Sequence, residues 1–230
     1  MRNIKESLDL VGISMSAVQA VFVTHEHMDH IGGLRRFLQE RRVPVYGTRG
    51  TLGQLLDKGT VNGQDTLYEI NQHTAIVGDL EISPFHTPHD CADSLGFLIS
   101  DGKNTIGLCT DLGTMPEQVF RQLCKCDFVL LESNYDPALL AVSQYPYYLK
   151  KRITSDYGHL SNQEAAEQIK KLVEHGVTRF LLGHLSQQTN VPALALQNVQ
   201  TTLAEAGMEN DRDYWIAAAE VRNSGIIYEI

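Results

Sequence analysis

The sequence is poor in cysteine and has no long apolar run. Its four cysteines form no CxxC pair and lie far in sequence from a histidine-rich run at residues 25–30. We therefore expect neither a cysteine-based structural zinc site nor a disulfide scaffold. No stretch of about 18 apolar residues is present, and no charged-then-apolar segment follows Met1. These absences argue against a membrane span and a signal peptide, so we expect a cytoplasmic protein with no membrane contact.

Basic residues are fewer than acidic ones. The 28 acidic residues outnumber the 19 Lys and Arg residues, which gives a net charge of -9. Such a balance argues against a surface that binds polyanions everywhere, so any contact with nucleic acid must be local. At 230 residues and 43% hydrophobic, the chain is long enough for one large domain. With no internal repeat or linker, we expect a single domain over residues 1–230, and oligomerisation is left open.

Apolar periodicity and turn residues predict alternating helices and strands. Ile4, Leu8 and Val11 fall at i, i+4 and i+7 before Gly12, which predicts a short opening helix. Further helices are predicted at 32–41, 49–57, 116–124, 162–175 and 192–206. Strands are predicted at 20–24, 43–46, 66–70, 74–77, 80–85, 94–100, 104–109, 127–132, 178–183, 214–218 and 226–229. This mixture predicts an α/β fold in which helices cover the outer faces of sheets.

The run HEHMDH at residues 25–30 gathers three imidazoles and a carboxylate directly after an apolar strand. Side chains alternate along an extended segment, so His25 and His27 point the same way and can share one metal ion. Asp29 and His30 follow round the turn and can face a second ion. A polar loop that is merely rich in histidine, or a single structural zinc site, is the alternative interpretation.

Two catalytic metals need about six to eight protein donors, more than this run supplies. His89, Asp111 and His184 each follow a predicted strand, which would bring them to the same sheet edge. Taken singly, such residues are more often hydrogen-bonding histidines or turn-forming aspartates. The HEHMDH run favours the metal interpretation for all three, and a carboxylate such as Asp111 can bridge two cations roughly 3.5–4 Å apart.

The remaining histidines outside these segments have weaker signals. His86 lies three residues before His89 and could support a ligand without binding metal itself. His73 lies in a turn-rich stretch and His175 at the end of a predicted helix. We expect structural roles for these two.

The ordered motifs THEHMDHIGG, HDCADSLGF, TDLG, GHLSN and LGHLS resemble those of the metallo-β-lactamase superfamily. Within it, LLESNYD and QYPYYLKKRITSDYGHLSNQEAA are similar to the YycJ (WalJ) group. The likeness covers nearly all of residues 2–230. It implies an αββα sandwich of two mixed β-sheets flanked by helices. It also implies phosphodiester hydrolysis, with 5′ to 3′ DNA exonuclease activity as the specific function.

The resemblance further implies a set of metal ligands. One ion would be held by His25, His27 and His89, and the other by Asp29, His30 and His184, with Asp111 shared and a hydroxide between the ions. Asp29 and Asp111 thereby count among the catalytic residues. Imidazole and carboxylate donors suit zinc, manganese and iron alike. We expect two divalent ions, zinc or manganese first and iron as a further option.

His159 is the candidate that would contact the scissile phosphate or protonate the leaving oxygen. Ser161 and Asn162 follow at a helix N-terminus, where free N–H groups suit an anion. Simple capping of the helix is the alternative role for these two. Upstream, stacking faces and cations suited to single-stranded nucleic acid come from Tyr145, Tyr147, Tyr148, Lys150, Lys151 and Arg152. A solvated helix face explains that composition nearly as well.

The beginning of the chain departs from the family pattern. Members generally start with strands that precede the first helix, whereas this sequence starts at the helix. We therefore expect an N-terminally short domain in which strand 20–24 lacks a neighbour on one side and leaves apolar surface exposed. We also expect lower stability than in a chain extended upstream.

Two other functions stay open from the sequence. The segment FHTPHD resembles the HTPGHT motif of glyoxalase-like enzymes. This likeness would indicate a thioesterase or lactonase of the same fold. A non-catalytic regulatory protein that binds metal for structure is the second. The nucleic-acid substrate is expected to be DNA, with RNA as the alternative.

Overall fold

Helices and strands alternate through most of the chain, as the sequence predicts. The computed structural model describes residues 2–220 and 226–228. The helices are α1 Arg2–Leu10, α2 Met28–Ile31, α3 Leu34–Glu40, α4 Arg49–Asp57, α5 Glu117–Leu123, α6 Pro137–Val142, α7 Tyr147–Ile153, α8 Asn162–Glu174 and α9 Pro192–Glu205. The strands are β1 Val21–Phe22, β2 Val45–Gly47, β3 Leu67–Glu69, β4 Ala75–Val77, β5 Leu80–His86, β6 Leu95–Ser100, β7 Thr105–Cys109, β8 Phe128–Glu132, β9 Arg179–Gly183 and β10 Trp215–Ala218.

The strands form two sheets of unequal size. The smaller sheet has the order β1-β2-β3, and the larger has the order β10-β9-β8-β7-β6-β5-β4. In the larger sheet β7 to β10 run parallel and β4 to β7 run antiparallel, so this sheet is mixed as expected. The smaller sheet is parallel throughout its described strands, which corrects the expectation that both are mixed. Helical crossovers after β1 and β2 return the chain to the same sheet end and enforce parallel pairing.

The two sheets pack face to face with helices outside them. Between the sheets, Phe22 meets Phe97 edge to face with ring centroids 5.7 Å apart. On the outer face of the larger sheet, Leu172 of α8 and Leu203 of α9 join Phe180 in a fully buried cluster. Helices α3 and α4 cover the smaller sheet through a second cluster that includes Phe37, Leu52 and Leu55. The layer order is therefore helix, sheet, sheet, helix, as expected from the sequence.

Most predicted elements are present, with three notable differences. Helix α4 has the predicted bounds, but the helix predicted over 32–41 begins two residues later as α3, and the short helix α2 precedes it. The sequence analysis did not predict helices α6 and α7. Helix α6 begins after Asp136, whose carboxylate accepts hydrogen bonds from the amides of Ala138 and Leu139. Residues 226–228 are not in a strand, and residue 229 lies outside the described residues.

Strand β1 forms an open edge of the smaller sheet. Within residues 2–220 and 226–228 it pairs with β2 alone, as anticipated for strand 20–24. A cavity of about 610 Å³ lies beside it, lined by apolar side chains such as Leu8 and Phe37 and reaching His30 and His184. None of the helices described is long and apolar enough to cross a membrane.

Candidate metal centre

The polar residues of the centre follow strands of both sheets. Strand β1 leads into residues 24–30, and strand β5 ends three residues before His89. Asp111 follows β7 and His184 follows β9. In layered α/β folds such strand ends meet at one edge, where ligands bind. The fold thus collects side chains that are up to 159 positions apart in the sequence.

One group of potential ligands consists of His25, His27 and His89. One nitrogen of each ring lies within 4.8 Å of the others. The Nε2 of His89 is 3.2 Å from the Nδ1 of His27, and His25 is completely buried. Three imidazole nitrogens that converge in this way match the donor set of a transition-metal site.

A second group consists of Asp29, His30 and His184. The Asp29 Oδ2 lies 3.7 Å from the Nε2 of His30 and 3.6 Å from the Nε2 of His184. Asp29 and His30 project from α2, so they lie on a single helical turn rather than in an irregular loop. This group is more exposed to solvent than the first.

Asp111 lies between the two groups. Its Oδ1 is 3.9 Å from the Nε2 of His25 and 3.7 Å from that of His89, while its Oδ2 is 3.4 Å from the Nε2 of His30. The Nε2 of His184 lies 3.5 Å from Oδ1. One buried carboxylate therefore faces donors of both groups, as a bridging ligand would.

Unpartnered polar atoms indicate that a cation fits here. Among the described residues, the Nε2 of His25 and the Oδ2 of Asp111 are buried and make no hydrogen bond. Burying such atoms without a partner costs free energy, so they are rare in folded proteins. A divalent cation would satisfy both of them, and the donor chemistry of the surrounding imidazoles and carboxylates agrees with that.

The outer nitrogens of the histidines are held by the protein. Thr24 Oγ1 lies 3.2 Å from the Nδ1 of His25 and 3.1 Å from the Nδ1 of His30. The Nδ1 of His89 donates to the backbone carbonyl of Gly158 at 3.1 Å. These bonds orient the rings and direct the opposite nitrogens inward, a common arrangement around protein-bound metals.

Backbone strain coincides with two of the potential ligands. Asp111 has φ 60° and His184 has φ 52°, both in the left-handed region that non-glycine residues seldom adopt. Each residue directly follows or nearly follows a strand, so the sharp turn aims its side chain into the centre. Strain of this kind concentrates at functional sites because the surrounding structure must hold it in place.

The electrostatics of the centre favour positive charge. Burial lowers the pKa of His25 to about 3, so this ring is neutral and can act as a ligand. Burial also disfavours charge on His184, but contacts with Asp29 and Glu132 outweigh it and raise the pKa to about 11. Burial would raise the pKa of Asp111, yet its histidine neighbours hold it well below the usual value. The carboxylates that favour a charged His184 would equally favour a metal cation, and the neutral ring of His25 can bind it.

Comparison with known families explains this architecture. The sequence model of the beta-lactamase superfamily domain matches residues 7–185, which include all seven potential ligands. The chain belongs to the beta-lactamase superfamily. This fold implies divalent metal binding, and the predicted family and fold class are confirmed.

Two relatives within the superfamily match most of the chain. The exodeoxyribonuclease YycJ of Bacillus anthracis is 28% identical over 197 residues, covering 85% of this chain and 74% of YycJ. The exodeoxyribonuclease WalJ of Streptococcus pneumoniae is 29% identical over 195 residues, covering 83% and 72%. The crystal structure of the metallo-beta-lactamase fold protein YhfI from Bacillus subtilis has a TM-score of 0.69 at 20% identity, covering 94% of this chain and 80% of YhfI.

Glu132 is a member of the centre that the sequence analysis missed. Its buried Oε1 accepts hydrogen bonds at 2.7 Å from the Nδ1 of His159 and from the Nδ1 of His184. Its Oε2 accepts from the backbone amides of Leu112 and Leu160. An acidic residue at the end of the apolar strand 127–132 carries the same signal that identified Asp111. Glu132 thus joins the potential ligand His184 to the neighbouring His159.

His159 lies beside the potential ligands, as expected. Its ring centroid is 5.1 Å from that of His89 and 5.3 Å from that of His184. Burial would lower its pKa, but the hydrogen bond and the charge of Glu132 outweigh burial and raise it. The ring therefore carries a proton readily and is anchored through Nδ1, which leaves Nε2 for other contacts.

The structure does not support substrate contacts by the side chains of Ser161 and Asn162. Ser161 caps α8 by accepting from the amide of Glu164 and donating to its carboxylate. Asn162 is completely buried, bonded to Ser133 and Asn190 through its amide group. Every polar atom of these two side chains is engaged, so Ser161 has the capping role that the sequence left as the alternative, and Asn162 instead joins separate segments in the interior.

Most of the aromatic and basic segment lies in α7, Tyr145 precedes that helix, and the members differ in position. Arg152 and Tyr145 line a cleft next to the centre. Tyr148 is 74% exposed and, like Lys151, does not line this cleft. Lys151 instead lies over the ring of Tyr147, 5.6 Å from its centroid. The predicted contacts of Tyr148 and Lys151 with substrate would therefore have to form outside the cleft.

The other histidines lie away from the centre. The ring of His86 is half-exposed and forms hydrogen bonds with Asn71 and Asp93. His73 is exposed, and His175 caps the end of α8. The structure thus separates the seven residues of the metal prediction from the histidines for which structural roles were expected.

Proposed function

We propose that this protein is a dinuclear metal-dependent phosphodiesterase, and specifically an exodeoxyribonuclease that digests DNA in the 5′ to 3′ direction. The observation that carries the proposal is the convergence of two ligand groups on the single buried carboxylate of Asp111. Two-metal sites of this kind are typical of enzymes that act on phosphate esters. The names of the relatives YycJ and WalJ agree with the predicted enzyme class.

The proposed ligands divide as the sequence analysis expected. His25, His27 and His89 would hold one ion, and Asp29, His30 and His184 the other, with Asp111 shared. Zinc or manganese are the proposed ions, with iron also compatible with these donors. When bound, two divalent cations supply Lewis acidity toward a phosphate and lower the pKa of a nearby water.

His159 is proposed as the proton donor to the leaving oxygen. Glu132 fixes its Nδ1, so the proton available for transfer is on Nε2. The carboxylate of Glu132 also stabilises the charged ring, which keeps a proton on Nε2 until the leaving oxygen develops negative charge. Residues 1–230 are proposed to act as one domain in this reaction.

The direct test is digestion of end-labelled nucleic acid by metal-loaded protein. Single-stranded DNA, duplex DNA and RNA of one sequence, each labelled at the 5′ or the 3′ end, would be incubated with the protein and resolved as ladders. We expect mononucleotides released from the 5′ end of DNA. Absence of cleavage in all substrates, or endonucleolytic products alone, would contradict the proposal.

Two controls separate this function from its alternatives. His27→Ala that keeps the circular-dichroism spectrum of the parent should lose cleavage, whereas a metal-binding regulatory protein would show none to lose. Hydrolysis of bis(p-nitrophenyl) phosphate without hydrolysis of an acyl thioester or a lactone would exclude the small-molecule hydrolases of the same fold.

A further inference from the structure

A cleft opens from the candidate metal centre between α7 and the segment that follows His184. It has a volume of about 500 Å³. Asp29, His159 and His184 lie at its inner end. Its walls are formed by Asn134, Tyr145, Leu149, Arg152, Ile153, Leu185, Ser186, Gln187 and Gln188. The cleft is therefore continuous with the residues proposed to bind metal and to donate the proton.

Arg152 is fixed within this cleft. Its Nη2 donates to Asp90 Oδ1 at 2.9 Å, and its Nε donates to Asp90 Oδ2. Asp90 directly follows His89 and is itself anchored through its amide to the carbonyl of Tyr157. A guanidinium has five N–H donors, so three are free of these two bonds. The side chain is 49% exposed and thus presents donors suited to a phosphate beside the centre.

Apart from Arg152, no Lys or Arg in the described part of the chain lines the cleft. Tyr145, Leu149 and Ile153 give one wall an aromatic and apolar character, while Gln187 and Gln188 offer exposed amides. An aromatic ring can stack on any base, and an amide can pair with a base edge. One guanidinium, whose charge is already shared with Asp90, and otherwise uncharged walls match a single phosphate joined to a nucleoside, not a run of phosphates.

The size of the cleft limits what it can hold. Small-ligand sites have volumes of roughly 300–1,000 Å³, and this cleft lies in that range. Its volume suits one nucleotide better than a whole base pair. A terminal nucleotide would therefore have to be unpaired before its base could enter.

We infer that this cleft is a mononucleotide subsite, in which Arg152 binds the phosphate, Tyr145 stacks on an unpaired terminal base and the amides of Gln187 and Gln188 contact the base edge. The inference rests on the proposed nuclease function and adds the part of the substrate that the protein recognises. It implies that single-stranded ends are preferred to blunt duplex ends.

The test compares two ligands that differ only by the base. Binding of deoxyadenosine 5′-monophosphate and of 2-deoxyribose 5-phosphate to metal-loaded protein would be measured by titration calorimetry. We expect the nucleotide to bind about tenfold more tightly, since base stacking on one aromatic side chain is typically of that order. Tyr145→Ala should remove this difference, and Tyr145→Phe should preserve it.

Tyr147→Ala is the matched control, because Tyr147 lies two residues after Tyr145, at the start of α7, but is 74% exposed and does not line the cleft. Equal affinities for the two ligands, or an unchanged preference in Tyr145→Ala, would overturn the inference. Calorimetry needs no turnover, so these outcomes are distinct from failure of the proposed function. That failure would appear as metal-loaded protein that does not hydrolyse bis(p-nitrophenyl) phosphate.

Discussion

The two sheets contribute comparable numbers of ligands to the candidate metal centre, but they are built very differently. The smaller sheet supplies four potential ligands from the single segment 25–30, and its three strands are each two or three residues long. The larger sheet supplies His89, Asp111 and His184 from three separate strand ends. It has seven strands and is covered by the long helices α8 and α9.

This difference indicates where stability and function depend on each other. The larger sheet has an extensive buried core of its own, whereas the smaller sheet has an open edge at β1 next to a cavity of about 610 Å³. Each metal ion would bind ligands from both sheets. We therefore expect metal binding to depend on residues of both sheets and to stabilise the smaller sheet more than the larger one.

The largest effect is expected from Asp111→Ala. This substitution removes the carboxylate that faces both ligand groups, so neither ion would be held correctly. Losing several kcal/mol of transition-state stabilisation by metal corresponds to a fall in kcat of about 10³-fold or more. Steady-state kinetics on bis(p-nitrophenyl) phosphate would measure it.

His86→Ala is the control for that substitution. His86 lies three residues before His89 but bonds to Asn71 and Asp93 outside the centre. The activity of the His86→Ala variant should stay close to that of the parent protein. A similar loss in both variants would show that the loss does not depend on the carboxylate of Asp111.

Removal of metal by a chelator is expected to have the next largest effect. A ligand at roughly 100 to 1,000 times its Kd contributes about 3–4 kcal/mol to the free energy of unfolding. Hydrogen exchange should quicken most at amides of the smaller sheet, such as those of Val23 and Val45, and least at Val129 and Leu182 of the larger one. Equal changes in both sheets would contradict the expected difference between them.

A smaller effect is expected from residues that hold the outer nitrogens of the potential ligands. Glu132→Gln weakens the anchor of His184 and His159, and should lower kcat by about 10- to 100-fold. Thr24→Val removes a single hydroxyl beside His25 and His30, so its cost should be at the lower end of that range. Metal affinity would be measured alongside kcat. A fall in kcat at unchanged metal affinity would show that Glu132 and Thr24 position the histidine rings. A larger loss in Thr24→Val would reverse the proposed ranking.

Much of the fold was predictable because its signals are local. Apolar runs followed by turn residues gave most of the strands, and helix 49–57 was predicted at its observed bounds. His89, Asp111 and His184 were predicted to lie at the centre because each is a polar residue that follows a predicted strand. Helices α6 and α7 have only six and seven residues, so they contain too few turns for a periodic pattern.

The roles of individual polar side chains were less predictable, because they depend on tertiary neighbours. Ser161 and Asn162 lie where a helix N-terminus could bind an anion, but Ser133 and Asn190 from elsewhere in the chain bury Asn162. Glu132 becomes important only because two histidines converge on it. The pairing of Arg152 with Asp90 joins positions 62 residues apart, which no local pattern indicates.

The most direct test of the account is anomalous diffraction from crystals of the protein grown with zinc or manganese. We predict two metal peaks per chain, one among His25, His27 and His89 and one among Asp29, His30 and His184, with Asp111 in contact with both. A single peak, or peaks away from Asp111, would contradict the proposed dinuclear centre.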